Sequence, residues 1–344
     1  ISRFNADTRG SAPNRSEGKV IILATVHDTF PKPISSKTFW VSFDSLETAL
    51  EFRRQVCLDN PQDLPTSLEY MDRDSFDIID GAGRILSNTI SIMGSTSPVI
   101  RHLWNIKLWI EDLPFRGAPS WVDRFLYLMN SVTPSSLPAP IWKLGKEFDH
   151  HVAMTVGDFG YGEMDRLVDR MDQFAKEKGD EKIQIHECTS AGQAQSLSAF
   201  RFAAAPAFRT YCVGNGLQGF SVDYALPKTK GQEPPLAAPP SESAQNSNNV
   251  ALPLKRMRYS HFGCNVVHED LAYSSDANIH EAKMAIKHAV EHVAGGKLPS
   301  EHGHGHEYVA PPETQERWKQ MDPLNLLNPG IGGLSQHYRY RPSA

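Results

Sequence analysis

The densest group of chemically capable side chains lies between residues 298 and 312. In it Glu301 is followed by His302, His304 and His306, with a glycine between successive histidines. Glycine allows positive φ and a close approach of the backbone to a flat ligand. Imidazoles transfer protons near neutral pH, and with a carboxylate they bind metal ions. The pattern predicts a functional loop, with a solvated histidine tract as the alternative.

A second pair of imidazoles lies upstream, where His261 and His268 stand seven residues apart in a strand-like segment. In one unbroken strand such positions point to opposite faces. The run Gly263–Asn265 favours a turn or bulge, which would let both rings converge. With Glu301 they would form a site of two histidines and a glutamate for a divalent metal, leaving a coordination position open. The alternative is a hydrogen-bonded pair of structural histidines.

These residues carry a resemblance to a known family. The Glu301–Gly303 loop, the His261/His268 pair and the tail Met321–Gly332 resemble the C-terminal part of FAD-linked 2-hydroxy acid dehydrogenases of the vanillyl-alcohol-oxidase type. Within that superfamily the likeness is to the respiratory, quinone-dependent D-lactate dehydrogenases, which are peripheral membrane flavoproteins. Further similar segments spread the likeness over nearly the whole chain: Ser16–Val20, Glu69–Asp74, Asp149–His151 and Arg201–Ala205.

The resemblance implies a chemistry and a role for particular residues. A hydride leaves the substrate carbon for FAD while a base, expected to be His302, takes the hydroxyl proton. Arg201 matches the arginine that holds the substrate carboxylate, for which a planar guanidinium is well suited. The resemblance places His261 and His268 next to the substrate, and with Glu301 they are the expected ligands of a zinc or manganese ion.

Four residues are expected to contact the flavin: Glu301, Gly303, Asn325 and Asn328. The sequence departs from some relatives at Ser221, two residues before Asp223, where those relatives have a lysine. Without that second cation, a monocarboxylate such as D-lactate is favoured over a dicarboxylate.

Residues 81–147 contain an unusual share of the chain's tryptophans. Trp104, Trp109, Trp121 and Trp142 lie there among basic residues: Arg101, Lys107, Arg116, Arg124, Lys143 and Lys146. Tryptophan with lysine or arginine on amphipathic helices suits a membrane interface, whereas tryptophan at helical spacing is also common in cores. The resemblance favours the first interpretation, with an anionic membrane surface, quinone as electron acceptor and a peripheral location on the cytoplasmic side.

Composition sets broader limits. The 344 residues are 40% hydrophobic with a net charge of −5, which is sufficient for a buried core and argues against nucleic-acid binding. Four scattered cysteines favour reduced thiols, and no apolar run reaches transmembrane length. The sequence begins with Ile1 and contains no glycine-rich, phosphate-binding turn. We therefore expect a fragment that does not retain FAD by itself.

Hydrophobic periodicity predicts the elements that position these residues. Strands are expected at 19–26, 38–43, 149–156, 182–186, 219–226 and 258–268, and helices at 45–56, 164–174 and 278–294, the last ended by Gly295 and Gly296. Their mixed order predicts an α+β fold, a largely antiparallel sheet with helices on one face, interrupted by a mostly helical membrane-binding insertion.

The expected division of the chain has seven parts. They are the end of a flavin-binding domain (1–18), three parts of a cap domain (19–80, 148–227 and 251–296), the insertion (81–147), a flexible loop (228–250) and a C-terminal segment returning to the flavin domain (297–344). Two other functions compete with the dehydrogenase. One is a catalytically inactive metal-binding or interaction module, and the other is a zinc hydrolase, which is disfavoured because no His-Glu-x-x-His helix accompanies the ligands.

Overall fold

A seven-stranded sheet forms the centre of the computed structural model, which describes residues 15–26, 29, 31–227 and 251–341. The order across the sheet is β4-β1-β3-β2-β6-β7-β5, and all neighbouring strands are antiparallel. The strands are β1 Ser35–Phe43, β2 Ser67–Asp72, β3 His150–Asp158, β4 Ile183–Glu187, β5 Gln218–Ala225, β6 Lys255–His261 and β7 Val266–Tyr273.

The helices alternate irregularly with these strands. They are α1 Leu46–Phe52, α2 Arg73–Ala82, α3 Arg84–Met93, α4 Pro98–Glu111, α5 Ala118–Val132, α6 Ala139–Glu147, α7 Glu163–Lys178, α8 Ala191–Phe202, α9 Ala204–Asn215, α10 Ile279–His288 and α11 Pro312–Met321. Helix α1 continues into the π-helical turn Arg53–Leu58, and α10 into Ala289–Val293.

Two apolar cores lie on opposite faces of the sheet. Phe39 and Tyr70 belong to the core under α1, α7 and α10, whereas their chain neighbours Trp40 and Met71 belong to the core under α2, α6, α8 and α9. The predicted α+β class with an antiparallel sheet is confirmed. The expectation of helices on one face was wrong, because successive apolar strand residues point to both faces and each face must be covered.

Local sequence explains where the helices begin and how closely they pack. Ser45 caps α1 by accepting the backbone N–H of Thr48 at 3.3 Å, and Asp72 caps α2 by accepting that of Ser75 at 2.8 Å. Helix α6 packs against the Phe76 ring of α2 at Gly145, where an added Cβ would lie 2.1 Å from the ring. Such caps and contacts fix helices on both faces of the sheet.

Most of the predicted elements are present, with one clear exception. The predicted strand over 19–26 is absent, and residues 21–26 are irregular and exposed. The reason is that a strand needs a neighbour for its backbone hydrogen bonds, and no described strand pairs with this segment. The predicted loop 228–250 lies outside the described residues.

The helices of the insertion expose much apolar surface. Helix α4 has no buried residue, and the exposed fractions of Trp109, Phe125 and Leu128 are 65%, 61% and 67%. Seven exposed side chains together form what we call the apolar surface of α4 and α5: Leu103, Trp104, Trp109, Phe115, Trp121, Phe125 and Leu128. Within the described part of the chain, no helix combines the length and hydropathy needed to cross a bilayer.

A buried carboxylate attaches the insertion to the rest of the molecule. Asp123 on α5 is fully buried and accepts hydrogen bonds from Lys107 at 2.7 Å, Arg209 at 2.9 Å and Thr210 at 3.0 Å. These partners lie on α4 and α9. Asp123 therefore joins the two insertion helices to a helix of the second core.

Candidate active site

The hairpin of β6 and β7 brings the two predicted histidines together. Residues 262–265 form the turn, in which Asn265 has φ 55°. Tyr259 pairs with His268, and His261 with Val266, so the two histidines are diagonal neighbours on one face. Their ring centroids lie 5.3 Å apart with an interplanar angle of 86°. The predicted turn and the convergence of the imidazoles are confirmed.

Glu301 completes a three-residue cluster from a separate loop. Its Oε2 lies 3.4 Å from Nε2 of His261 and 3.6 Å from Nε2 of His268. The possible ligand atoms of the three residues all lie within 4.8 Å of one another. The other nitrogen of His261, Nδ1, lies 2.9 Å from Oε1 of Glu69. A carboxylate behind a ligating imidazole is the usual support of metal-bound histidines.

The two imidazoles have opposite pKa shifts. Burial, and then the positive charges of Arg201 and His261, lower the pKa of His268 to about 4. Burial alone would also lower the pKa of His261, but its hydrogen bonds to Glu301 and Glu69 outweigh that effect and raise it. At pH 7 His268 is thus neutral, with a lone pair available for a ligand or hydrogen bond.

Arg201, near the end of α8, lies over this cluster. Its guanidinium carbon is 4.5 Å from the centroid of the Tyr259 ring, and its Nε is 3.3 Å from Oε2 of Glu69. Among the described residues, none forms a hydrogen bond with its terminal nitrogens. Those two nitrogens form the prongs that would bind a carboxylate.

Two cavities flank the cluster. Arg201 and His261 line one of about 530 Å³, together with polar residues of β1, β2 and β3. His268 and His302 line the other, of about 420 Å³. In the second cavity Tyr259 donates to Asp270 at 3.0 Å, and burial raises the pKa of Asp270 to about 6. The predicted substrate residues are therefore divided between two cavities, one on each side of the histidine pair.

The loop that contains Glu301 and His302 is held by carboxylates on both sides. Nδ1 of His302 lies 3.1 Å from Oδ1 of Asp223 on β5, and the His302 side chain is 69% exposed. The Glu17 carboxylate accepts hydrogen bonds from the backbone N–H and from Nδ1 of His304, each at 2.7 Å. Between them Gly303 has φ 74°, and an added Cβ would lie 3.0 Å from Oε2 of Glu17.

The predicted asparagines of the tail lie differently. Asn325 is buried and its amide is used internally, since it accepts from Lys19 at 2.6 Å and donates to two backbone carbonyls, those of Ser335 and His337. Asn328 is exposed and donates to the carbonyl of Glu17 at 2.6 Å. Both amides therefore hold the C-terminal segment to residues 15–19.

Sequence reasoning missed several residues of the site: Glu17, Glu69, Asp223, Tyr259 and Asp270. A signal existed for three of them. Glu69 and Asp223 each have an apolar-bodied residue on both sides within a strand, and Asp270 precedes the apolar Leu271 in another strand. A carboxylate buried in a strand needs a partner. The sequence does not reveal which strands pair, and strand pairing decides which residues those partners are.

Comparisons with known proteins agree with the resemblance. The family model described as D-lactate dehydrogenase, membrane binding, matches residues 38–340. Quinone-dependent D-lactate dehydrogenase of Corynebacterium glutamicum is 29% identical over 330 residues, covering 94% of this chain and 54% of that relative. The enzyme of that description from Escherichia coli K12 is 27% identical over 348 residues, covering 99% and 57%. The chain thus spans about half the length of these relatives.

The comparison with solved structures gives more distant similarities. The chain is 15% identical to p-cresol methylhydroxylase with substrate bound, with a TM-score of 0.47, covering 89% of this chain and 54% of that chain.

Proposed function

Because this chain belongs to the D-lactate dehydrogenase, membrane-binding family, we propose that it forms the substrate-binding and membrane-docking part of an enzyme that oxidises D-lactate to pyruvate. One observation carries the proposal. Arg201 lines a cavity beside His261, and His302 lines a cavity beside His268. The centroids of the His261 and His268 rings lie 5.3 Å apart, so a carboxylate-binding group and a proton acceptor flank the same histidine–glutamate cluster.

Different residues bind the carboxylate of a 2-hydroxy acid and accept its hydroxyl proton. Arg201 binds the carboxylate with its terminal nitrogens, while Glu69 and the Tyr259 ring keep the guanidinium in place. His302 accepts the hydroxyl proton. FAD, when bound, supplies the acceptor for the hydride that leaves the substrate carbon.

Residues at the rim of the site are suited to a flat cofactor. Glu301 and Gly303 line an open groove of about 1000 Å³ and would lie against the flavin. The positive φ of Gly303 lets the backbone approach a ring closely. Asn325 would act indirectly, through the tail that it holds, and Asn328 is exposed enough to donate to a cofactor. These assignments are proposals for the cofactor-bound enzyme.

A divalent metal ion, zinc or manganese, is a further proposal for His261, His268 and Glu301. The donor set fits, because Nε2 of both rings faces one carboxylate oxygen and Glu69 supports His261 from behind. When bound, the ion supplies Lewis acidity toward the substrate hydroxyl. We expect chelation to abolish activity and a divalent ion to restore it. Full activity in protein with no more than a trace of metal would contradict this proposal.

A monocarboxylate substrate is favoured by the second cavity. Ser221 and Asp270 line it, and Asp223 lies beside them. A second substrate carboxylate would meet acidic groups there, with no lysine at position 221 to neutralise it. This supports D-lactate over a 2-hydroxy dicarboxylate.

Electrons are proposed to pass to a membrane quinone, with the protein attached peripherally on the cytoplasmic side. The apolar surface of α4 and α5 supports attachment, and Arg101, Arg116 and Arg124 are exposed beside it to meet anionic lipid. Lys107 and Lys146 do not contribute, since they pair with Asp123 and Asp77. The four cysteines are free thiols, as suits a reducing compartment. The division of the chain into the seven parts given above is likewise a proposal, and it rests on the family resemblance.

The experiment that tests the function replaces the proposed base. In the flavin-loaded protein, His302→Ala should slow flavin reduction by D-lactate by roughly 10²–10⁴-fold, the usual contribution of a general base. His280→Ala, which removes an exposed imidazole on α10, is the matched control. Stopped-flow reduction at a near wild-type rate in His302→Ala would overturn the assignment.

A further inference from the structure

Asp223 lies at the centre of the contacts that hold the active-site loop. It is on β5, where it pairs with His268 of β7, and it is 6% exposed. Its side chain points to the sheet face that carries the cluster, since its neighbours Val222 and Tyr224 belong to the core on the other face. A buried carboxylate at this position needs hydrogen-bond donors, and the loop supplies them.

One oxygen of Asp223 binds the backbone of three successive residues. Oδ2 accepts the N–H of Ser300 at 2.9 Å and that of His302 at 3.4 Å, and it also accepts the N–H of Glu301 between them. Charge-assisted hydrogen bonds of this kind are stronger than neutral ones. The loop backbone is therefore fixed relative to the sheet at the residues that carry the proposed chemistry.

The other oxygen of Asp223 faces the imidazole of His302. Oδ1 lies 3.1 Å from Nδ1 of that ring. A carboxylate oxygen has no hydrogen to donate, so at this ion-pair distance a neutral imidazole is favoured with its hydrogen, rather than its lone pair, on Nδ1. Its Nε2 then has the lone pair. The ring lines both the 420 Å³ cavity and the large groove, and its side chain is 69% exposed, so Nε2 is open to a substrate.

We propose that Asp223 is a positioning residue that orients His302 and holds it in the Nδ1–H tautomer, which makes Nε2 the atom that receives the substrate proton. The proposal rests on the proposed function, because it assigns an atom to the base of that reaction. It also makes a statement about the resting protein, because the tautomer exists whether or not a substrate binds.

Imidazole NMR tests the tautomer without any turnover. In protein labelled with ¹⁵N at histidine, long-range ¹H–¹⁵N correlations distinguish the two neutral tautomers, and the missing signals in His302→Gln assign the ring. We expect the Nδ1–H tautomer of His302 in the wild type and its loss as the dominant form in Asp223→Asn. A dominant Nε2–H tautomer in the wild type would overturn the proposal, and this result requires no variant of Asp223 to fold.

Glu17→Gln provides the matched comparison. Glu17 holds the same loop through His304 but does not contact His302, so its replacement should loosen the loop and leave the His302 tautomer unchanged. An equal shift of the tautomer in Glu17→Gln and Asp223→Asn would show that Asp223 acts only by holding the loop, and would contradict the proposal.

Kinetics then separates this inference from the function itself. In the flavin-loaded protein, Asp223→Asn should lower kcat by on the order of 10²–10⁴-fold, the scale seen when a catalytic histidine is left in the wrong tautomer, with KM for D-lactate changed far less. An unchanged kcat alongside an altered tautomer would overturn the role of Asp223 in proton transfer. Absence of D-lactate oxidation in the wild type would refute the proposed function and leave the NMR result standing.

Discussion

At Arg201 the guanidinium lies on the ring of Tyr259, and its Nε contacts Glu69. These contacts involve the Nε side and the face of the guanidinium. They leave its two terminal nitrogens available to the cavity that Arg201 lines. The same division occurs at His261, where Glu69 takes one ring nitrogen and the other faces Glu301. Single carboxylates of the sheet thus set the direction in which cationic and imidazole groups act.

Replacing the guanidinium tests this arrangement. Arg201→Lys should weaken D-lactate binding by roughly 10-fold or more, because lysine keeps the charge but cannot make two parallel hydrogen bonds. Folding should be little affected, which a thermal unfolding curve would check. An unchanged KM for D-lactate would show that the carboxylate is bound elsewhere.

A buried histidine away from the site should make stability depend on pH. Burial, and then the charges of His150 and Arg73, lower the pKa of His151 to about 3. Below the ordinary pKa near 6.5, His151 binds a proton in the unfolded chain but stays neutral in the folded chain. The free energy of unfolding therefore falls as the pH falls. Between pH 7 and pH 5 the effect of His151 should lower the free energy of unfolding by about 2 kcal/mol.

His151→Phe should remove that part of the pH dependence in urea unfolding at the two pH values. The raised pKa values of Asp72 and Asp270 act in the opposite direction, but they are common to both proteins and cancel in the difference. His280→Phe, at an exposed position, is the control. An identical pH dependence in wild type and His151→Phe would contradict the prediction.

At the scale of elements, strand pairing places the chemistry. β5, β7 and β6 are neighbours, so Asp223, His268 and Tyr259 form one row across the sheet, and the pairing of β2 with β6 adds Glu69 beside His261. The loop after α10 then supplies Glu301 and His302. A rigid sheet therefore provides the supporting residues, and a loop clamped to it provides the proposed base.

Asp123 is one of the groups that attach the insertion, and Asp123→Asn tests its contribution. The substitution leaves Lys107 and Arg209 beside a neutral amide, although both keep Glu111 as a carboxylate partner. Loss of the buried charge should cost on the order of 1–3 kcal/mol. We expect a lower midpoint in urea unfolding. Asp112→Asn, at an exposed acid that ends α4, should change stability little. Equal stability of the two variants would show that other contacts hold α4 and α5 to α9.

For the whole molecule, the active-site clefts and the apolar surface of α4 and α5 belong to different parts of one chain. The clefts lie over β5–β7 and β2, whereas α4 and α5 lie in the connection between β2 and β3. The sheet can thus hold the substrate site while the insertion meets a lipid surface. The proposed transfer of electrons to a membrane quinone would use both.

Sedimentation with vesicles tests the lipid-facing role. Replacing Trp109 and Phe125 together by serine should weaken binding to vesicles containing anionic phospholipid by roughly 10-fold or more, since each buried aromatic side chain contributes on the order of 1.5–3 kcal/mol. Tyr161→Ser, which removes an aromatic ring that is 81% exposed before α7, is the matched control. An equal effect of the control would show that α4 and α5 are not the lipid-binding elements.

The sequence alone determined the fold class, most strands, the helices α1, α7 and α10, the hairpin turn at Gly263–Asn265 and the convergence of His261 and His268. These follow from local periodicity and turn chemistry, which depend on residues close in the chain. The absent strand at 19–26 marks the limit of that reasoning, because an apolar run forms a strand only where a neighbour is present.

Only the tertiary structure decided which groups support the site. Asp223 lies 79 positions from His302 in the chain, and Glu69 lies 192 positions from His261, so neither pairing is visible in local patterns. The structure likewise decided that the tryptophans of α4 and α5 are exposed and that helices cover both faces of the sheet. Each of these facts depends on which distant strands and helices come together, and that is fixed by packing of the whole chain rather than by any short segment.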